Sequence, residues 1–236
     1  MILSLKVQNK QEIGGISMTI RRSRQADLVD RRIFDNTITV IGCGAIGSFT
    51  TLTLAKMGFK HIKVFDNDTV EEENIANQFY RYSDIGTTKT NALSNMIQDF
   101  EQLIITPCNM LWTKDIGIDT EYVVMAVDSM TVRKEIYDTI SRDVMIDGFV
   151  DGRMGGQQAE VYAAKTTAQK KFYKSYLWDE SEASELPCTQ KAVMYNVLWI
   201  ASTIANTLRL MMEDKPFRPA MYMDFENQVQ NNLIIG

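Results

Sequence analysis

The sequence predicts an α/β fold: a mostly parallel sheet flanked by helices, followed by a C-terminal antiparallel elaboration. Three observations predict it. Apolar strand-like runs alternate with amphipathic helical stretches from residue 37 onward. A glycine turn, "GCGAIG", joins the first run to the first helix, and beyond Gly148 the alternation gives way to hairpin-like segments. The chain of 236 residues, 45% of them hydrophobic, suits one domain with a sizeable core. We expect a single domain over 1–236, with an N-terminal arm and helix at 1–36, the core at 37–150 and the elaboration at 151–236.

Each element has its own signal. The first twenty residues alternate apolar and polar around Gly14-Gly15 and read as a short hairpin or arm. "SRQADLVDRRIFDN" reads as a helix leading into the strand "TITVI". From Ala45 to Met57 apolar residues fall at 45, 46, 49, 52, 54 and 55, and Gly58 marks the helix end. "HIKVFD" is the second strand, with Ile62 and Val64 on one face and Asp66 at its exit. Residues 67–88 are polar, irregular and too long for an ordinary connection, which marks a functional loop. "KTNALSNMIQDF" returns to helical spacing, "LIITPC" reads as a strand, and "YVVMAV" is a buried strand ending at Asp128. A helix over "VRKEIYDTIS" and a short strand "VMI" follow.

In the elaboration, "DGRMGGQ" reads as a hairpin turn, "TAQKKFYKSYL" as a solvated helix and "DESEASE" as a mobile acidic loop. "KAVMYNVLWIASTIANTLRLMM" nears membrane-span length but carries Asn196, Ser202, Thr203, Asn206 and Arg209, so it reads as a buried helix. "AMYMDF" and "QVQNNLIIG" close the chain as strands.

Composition narrows the function classes. The formal charge is −5, with 30 acidic against 25 basic side chains, so no overall positive field draws the chain to nucleic acid. Cys43, Cys108 and Cys188 lie far apart without a C-x-x-C pair, which excludes a disulfide framework and a structural zinc cluster. The N-terminus lacks a signal-peptide core, so a cytoplasmic protein without a membrane partner is expected. The single histidine, His61, reads as the start of a strand.

In G-x-G-x-x-G, here Gly42, Gly44 and Gly47, the first glycine permits the tight turn and the second lets a phosphate approach the backbone. The third lets helix pack on strand. Phosphates then meet free amides at a helix N-terminus, where the backbone dipoles favour negative charge. Asp66, 19 residues after Gly47, stands where a Rossmann-like unit places the carboxylate that accepts from a ribose hydroxyl pair. An NAD-dependent oxidoreductase satisfies this much, so the loop after Asp66 has to decide.

That loop reads "DNDTVEEENIANQFYRYSDIGTTK". With "VIGCGAIGS" before it and "AVDSMTVR" after, the chain over about residues 20–210 resembles the ThiF/MoeB/HesA adenylyltransferases, which activate ubiquitin-like and sulfur-carrier proteins. The resemblance implies a Mg-ATP site. Gly42, Gly44 and Gly47 would lie near the phosphates and Asp66 would bind the ribose. Asp68, Asn74, Asn77 and Gln78 would contact the nucleotide from the crossing loop. Lys89 would hold phosphate charge, Asp128 would take Mg²⁺, and Arg24 of "SRQ" would reach into the site of a partner subunit in a homodimer. The implied reaction is activation of a C-terminal carboxylate, of a carrier protein or peptide, as an acyl-adenylate with release of pyrophosphate.

The sequence also departs from that family. Many members read N-x-x-R-Q where this chain reads "NIANQ", so Asn77 replaces a phosphate-contacting arginine. Either Arg81 substitutes for it, or Asn77 is normal for a subgroup, or the chain is a non-catalytic nucleotide-binding relative. The two C-x-x-C pairs that hold zinc in many members are absent, so no zinc is expected. Cys188, ahead of the long helix, sits close to where some members place a cysteine that forms a thioester or handles sulfur. Its other reading is a half-buried hydrophobe at a helix start.

Overall fold

In the computed structural model the described residues are Gln25, 27–178 and 193–233. The expected N-terminal arm, Arg24, the acidic loop and Cys188 lie outside them. The strands are β1 (Thr37–Ile41), β2 (His61–Phe65), β3 (Thr106–Cys108), β4 (Tyr122–Met125), β5 (Gly148–Gly155), β6 (Gln158–Ala164), β7 (Ala220–Asp224) and β8 (Val229–Leu233). They form one eight-stranded sheet in the order β3-β2-β1-β4-β5-β6-β7-β8. Pairings from β3 through β5 are parallel, and those from β5 through β8 are antiparallel. The expected fold class holds.

Among the described residues five helices cover the sheet: α1 (Ala45–Met57), α2 (Lys89–Glu101), α3 (Met130–Ile140), α4 (Thr167–Lys174) and α5 (Met194–Met212). Strand side chains alternate between two hydrophobic clusters. On one face Ile38, Val40, Val64 and Val124 pack with Leu54 of α1, Leu93 of α2 and Ile200 of α5. On the other, Ile41, Val123, Met125 and Phe149 pack with Ile136 of α3 and Tyr173 of α4. Among the described residues no helix is long and apolar enough to cross a membrane.

Helix ends follow local chemistry. Gly58, at φ 122°, ends α1 by donating to the Leu54 and Ala55 carbonyls. Ser129 caps α3, its side chain accepting from Val132 N at 3.3 Å. Thr166 and Gln169 form a capping box at the start of α4.

Four expectations are corrected. In place of one continuous helix, the described residues show a turn in which Leu28 N and Val29 N donate to the Gln25 carbonyl and then a 3₁₀ turn, Arg31–Asp35, because extended Asp30 accepts from Arg32 N and starts a new turn there. "VMI" is not a strand: Val144 and Met145 are exposed, and pairing begins at Gly148, opposite Tyr122. "DGRMG" is not a turn but the body of β5; the reversal falls at Gly156-Gln157. Gly152 is there because a Cβ would lie 2.8 Å from Ile200 and 3.1 Å from Ile46, where α5 and α1 press on the strand. Finally, α4 is not merely solvated, since Tyr173 is fully buried among Tyr137, Phe149 and Tyr162.

Because β1 lies between β2 and β4, the chain leaves it toward one edge and returns on its other side. The carboxyl ends of β1 and β4 therefore form a topological switch point, where open α/β sheets bind ligands.

Candidate functional site

The glycine turn follows β1 at that switch point. Gly42 adopts φ 96°, and a Cβ there would stand 2.4 Å from the Ala126 carbonyl oxygen. A Cβ on Gly47 would stand 1.8 Å from the Gly42 oxygen. These two glycines are required by the protein's own packing. Gly44 differs: it has an ordinary φ of −70°, and a Cβ there meets nothing within 4 Å. Gly44 is also the N-cap of α1 and brings no capping side chain, so the helix N-terminus is left uncapped beside that open space.

Asp66 ties this turn to the next element. Its Oδ2 accepts from Cys43 N at 2.6 Å and its Oδ1 from Asp68 N at 2.9 Å. Asp68 in turn accepts from Lys89 Nζ at 2.8 Å, and Lys89 N donates to the Asp68 carbonyl. Lys89 is buried at the first position of α2 while Asp68 is mostly exposed. An open recess of about 380 Å³ is lined by Asn67, Asp68, Thr69, Glu71, Glu73, Asn74 and Lys89.

The crossing loop folds back over the turn. Asn74 caps its own 3₁₀ turn by accepting from Glu71 N, and its carbonyl accepts from Gln78 N. Phe79 N donates to Ser48 Oγ of α1 at 3.0 Å, and the Tyr80 hydroxyl donates to the Cys43 carbonyl at 2.6 Å. Burial pushes the Tyr80 phenol far above its ordinary value, which keeps it a donor. Burial first, and then the Asp66 charge, also push the Cys43 thiol up, so this cysteine packs rather than reacts. Asn77 Oδ1, Gln78 Oε1 and the Thr88 and Thr90 hydroxyls are buried without a hydrogen-bond partner among the described residues. Such atoms are costly unless something else satisfies them.

Arg81 is engaged elsewhere, paired with Asp84 at 3.1 Å and Asp99 at 3.0 Å. It is not offered as the stand-in for a family arginine at Asn77.

Asp128 stands two residues beyond Ala126, whose backbone packs against Gly42 and whose amide donates to the Ile41 carbonyl. Asp128 is exposed. The glycines, Asp66, Asp68 and Lys89 are thus joined by one chain of contacts, and Asn74, Asn77 and Gln78 lie on the loop that folds over the turn, while Asp128 follows two residues after Ala126. Among the described residues no group of three or more His, Cys, Asp or Glu could enclose a metal ion.

Sequence reading missed Ser48 and Tyr80, which fasten the loop to the glycine turn, and a buried ionic network on β5. There Asp151, fully buried, accepts from Arg133 Nε at 3.0 Å, Arg153 Nε at 2.6 Å and the Tyr173 hydroxyl at 2.9 Å. Burial would raise the Asp151 carboxyl, yet the Arg133 and Arg153 charges outweigh it and hold it below the ordinary aspartate value. The Arg153 guanidinium also faces the rings of Tyr162 and Trp178 at 4.5 and 4.9 Å, so it is sequestered rather than presented to a ligand.

Comparison with known proteins gives a consistent picture. The model of the ThiF family matches residues 20–229. Ubiquitin-like modifier-activating enzyme 5 of Bombyx mori is 30% identical over 121 residues, covering 51% of this chain and 27% of that protein. The NEDD8-activating enzyme E1 catalytic subunit of Dictyostelium discoideum is 27% identical over 200 residues, 75% of this chain and 40% of that one. The chain thus spans less than half the length of these relatives. Among solved structures, E. coli MccB with AMPCPP and MccA superposes with a TM-score of 0.72 at 14% identity, covering 92% of this chain and 71% of that one.

Proposed function

Because the chain belongs to the ThiF family, we propose that it is an activating adenylyltransferase that binds Mg-ATP at the glycine turn. It would transfer AMP to the C-terminal carboxylate of a small ubiquitin-like or sulfur-carrier protein, or of a peptide. The observation that carries this reading is the uncapped N-terminus of α1, open at Gly44 and joined through Asp66 and Asp68 to Lys89 and through Ala126 to Asp128. Free amides and a lysine in one assembly suit a polyphosphate. The partnerless oxygens of Asn77, Gln78, Thr88 and Thr90 suit a ligand that brings its own donors and acceptors.

In the reaction a carboxylate oxygen attacks the α-phosphorus, and the bond from that phosphorus to the β-phosphate bridging oxygen breaks. Pyrophosphate leaves with the electron pair, and an acyl-adenylate remains. Two anions approach one another, so the residues must offset negative charge. Lys89 would exchange Asp68 for a phosphate oxygen, and the α1 amides would hold the phosphates. Asp66 would accept from the ribose while keeping the turn fixed.

A divalent cation fits the donor set. The recess carries Asp68, Glu71 and Glu73 against Lys89 alone, a balance that repels a bare triphosphate. Mg²⁺ is held through one or two carboxylates plus substrate phosphates rather than by an all-protein cage, and exposed Asp128 would supply one. When bound, the ion would neutralise phosphate charge. Whether the adenylate passes to a cysteine such as Cys188, and whether Arg24 completes the site of a partner copy, belong to the same proposal.

A second reading, nucleotide binding without turnover, draws on Asn77 and on the engagement of Arg81 by Asp84 and Asp99. Exchange of labelled pyrophosphate into ATP, with carrier proteins encoded beside this chain as acceptors, separates the two. Exchange that a carrier stimulates supports adenylation, and binding of Mg-ATP without exchange for any carrier favours the second reading. Lys89→Ala should weaken Mg-ATP binding by about tenfold or more, the loss of a charge-assisted contact; unchanged affinity would remove Lys89 from the site.

A further inference from the structure

Arg133, in the first turn of α3, has a guanidinium that spans three places. Its Nε donates to Asp151 Oδ1 at 3.0 Å, its Nη2 to the Gly152 carbonyl at 3.2 Å and its Nη1 to the Asp128 carbonyl at 3.3 Å. The first two acceptors belong to β5, in mid-sheet. The third is the main chain of the residue whose carboxylate is read above as the metal donor.

We propose that Arg133 is a positioning residue for Asp128, with Asp151 as its fixed anchor. The inference rests on the Mg-ATP reading of Asp128 and goes beyond it. Asp151 is itself immobilised: fully buried, it also accepts from Arg153 Nε at 2.6 Å and Tyr173 OH at 2.9 Å. Arg133 is only 5% exposed, so its fork is shielded from competing water. Asp128, by contrast, stands exposed on a turn between β4 and α3. A surface turn is the least constrained part of such a site, and a metal carboxylate displaced by a fraction of an ångström loses much of its effect. The arginine carries the rigidity of the sheet to that turn.

The choice of residue type follows from the geometry. Three acceptors on two elements need separate N–H groups in a fixed plane, which guanidinium has and ammonium lacks. Lysine would keep the charge beside Asp151 while losing the simultaneous grip on Asp128 and Gly152. A role confined to stability would then cost folding free energy and nothing else; a positioning role changes how the metal couples to ATP.

The test uses the full chain and measures the ATP dissociation constant by calorimetry, with excess Mg²⁺ and with EDTA. The ratio of the two is the metal–nucleotide coupling. For Arg133→Lys we expect that ratio to fall by about fivefold or more while the EDTA value stays put. Asp128→Ala should collapse the ratio, and adding Arg133→Lys to it should change nothing further. If Arg133→Lys does not accumulate as folded protein, Arg133→Gln, which leaves Asp151 its Arg153 and Tyr173 partners, is read in the same way. A wild-type ratio in the folded variant, alongside collapse in Asp128→Ala, overturns the positioning role and leaves the Mg-ATP reading intact. A wild-type ratio in Asp128→Ala overturns the metal role itself.

Discussion

Substituting alanine at Gly44 and at Gly47 should give opposite results. At Gly47 the new Cβ would lie 1.8 Å from a backbone oxygen, a clash that no rotamer relieves, so Gly47→Ala should lose several kcal/mol or fail to fold. At Gly44 it would enter open space on an ordinary backbone conformation, so chemical denaturation should show a change of less than about 1 kcal/mol. The same methyl would occupy the approach to the α1 amides, so Gly44→Ala should bind ATP far more weakly. A Gly44→Ala protein with unaltered ATP affinity would mean that the phosphates lie elsewhere. The glycine pattern and Asp66 were legible in the sequence because a backbone turn constrains residue type at fixed spacing. That Asp66 also holds Cys43 N, and that Tyr80 holds the Cys43 carbonyl, was not legible, because those contacts join positions 23 and 37 residues apart.

At the scale of elements, β5 carries more of the site's rigidity than its sequence suggests. "GFVDGRMG" shows glycine punctuation that reads as a turn, yet Gly148 and Gly152 are there to let α5, α1 and neighbouring strands close on it. Tyr173, in a run of lysines, likewise gave no sign that it would meet Asp151 across 22 residues. The carboxylate at the centre of this network makes a definite prediction in acid. Its folded value lies below the ordinary 3.8, so the stability it contributes is present above that value and is lost as pH falls through the folded one. Asp151→Asn should destabilise the protein at neutral pH by about 3–5 kcal/mol, since two buried guanidinium groups lose their counter-charge. It should also flatten the decline in stability below about pH 4. Urea titrations at a series of pH values measure both, and an acid limb as steep in Asp151→Asn as in wild type would mean that other carboxylates govern it.

For the whole molecule, the strand order sets where chemistry is placed. The glycine turn after β1 and Asp128 after β4 are 80 or more residues apart in the chain, yet adjacent parallel strands bring their turns together at one end of the sheet. The βαβ unit over residues 37–65 was legible because strand, turn, helix and strand each carry a local signal. In the antiparallel half "AMYMDF" and "QVQNNLIIG" were legible as the strands β7 and β8, but their pairing was not, since β7 is held on β6 and β8, exposed along its length, on β7.

The measurement that tests the central claim most directly is a thermal unfolding series of the full chain with Mg-ATP, with ATP plus a chelator, and with NAD. A ligand at about 100 times its dissociation constant adds roughly 2.7 kcal/mol, enough to raise the midpoint by several degrees at this size. The account predicts the largest rise with Mg-ATP, a smaller one when the metal is removed, and none with NAD. Stabilisation by NAD with no response to Mg-ATP would contradict it, and would return the glycine turn and Asp66 to a dinucleotide site.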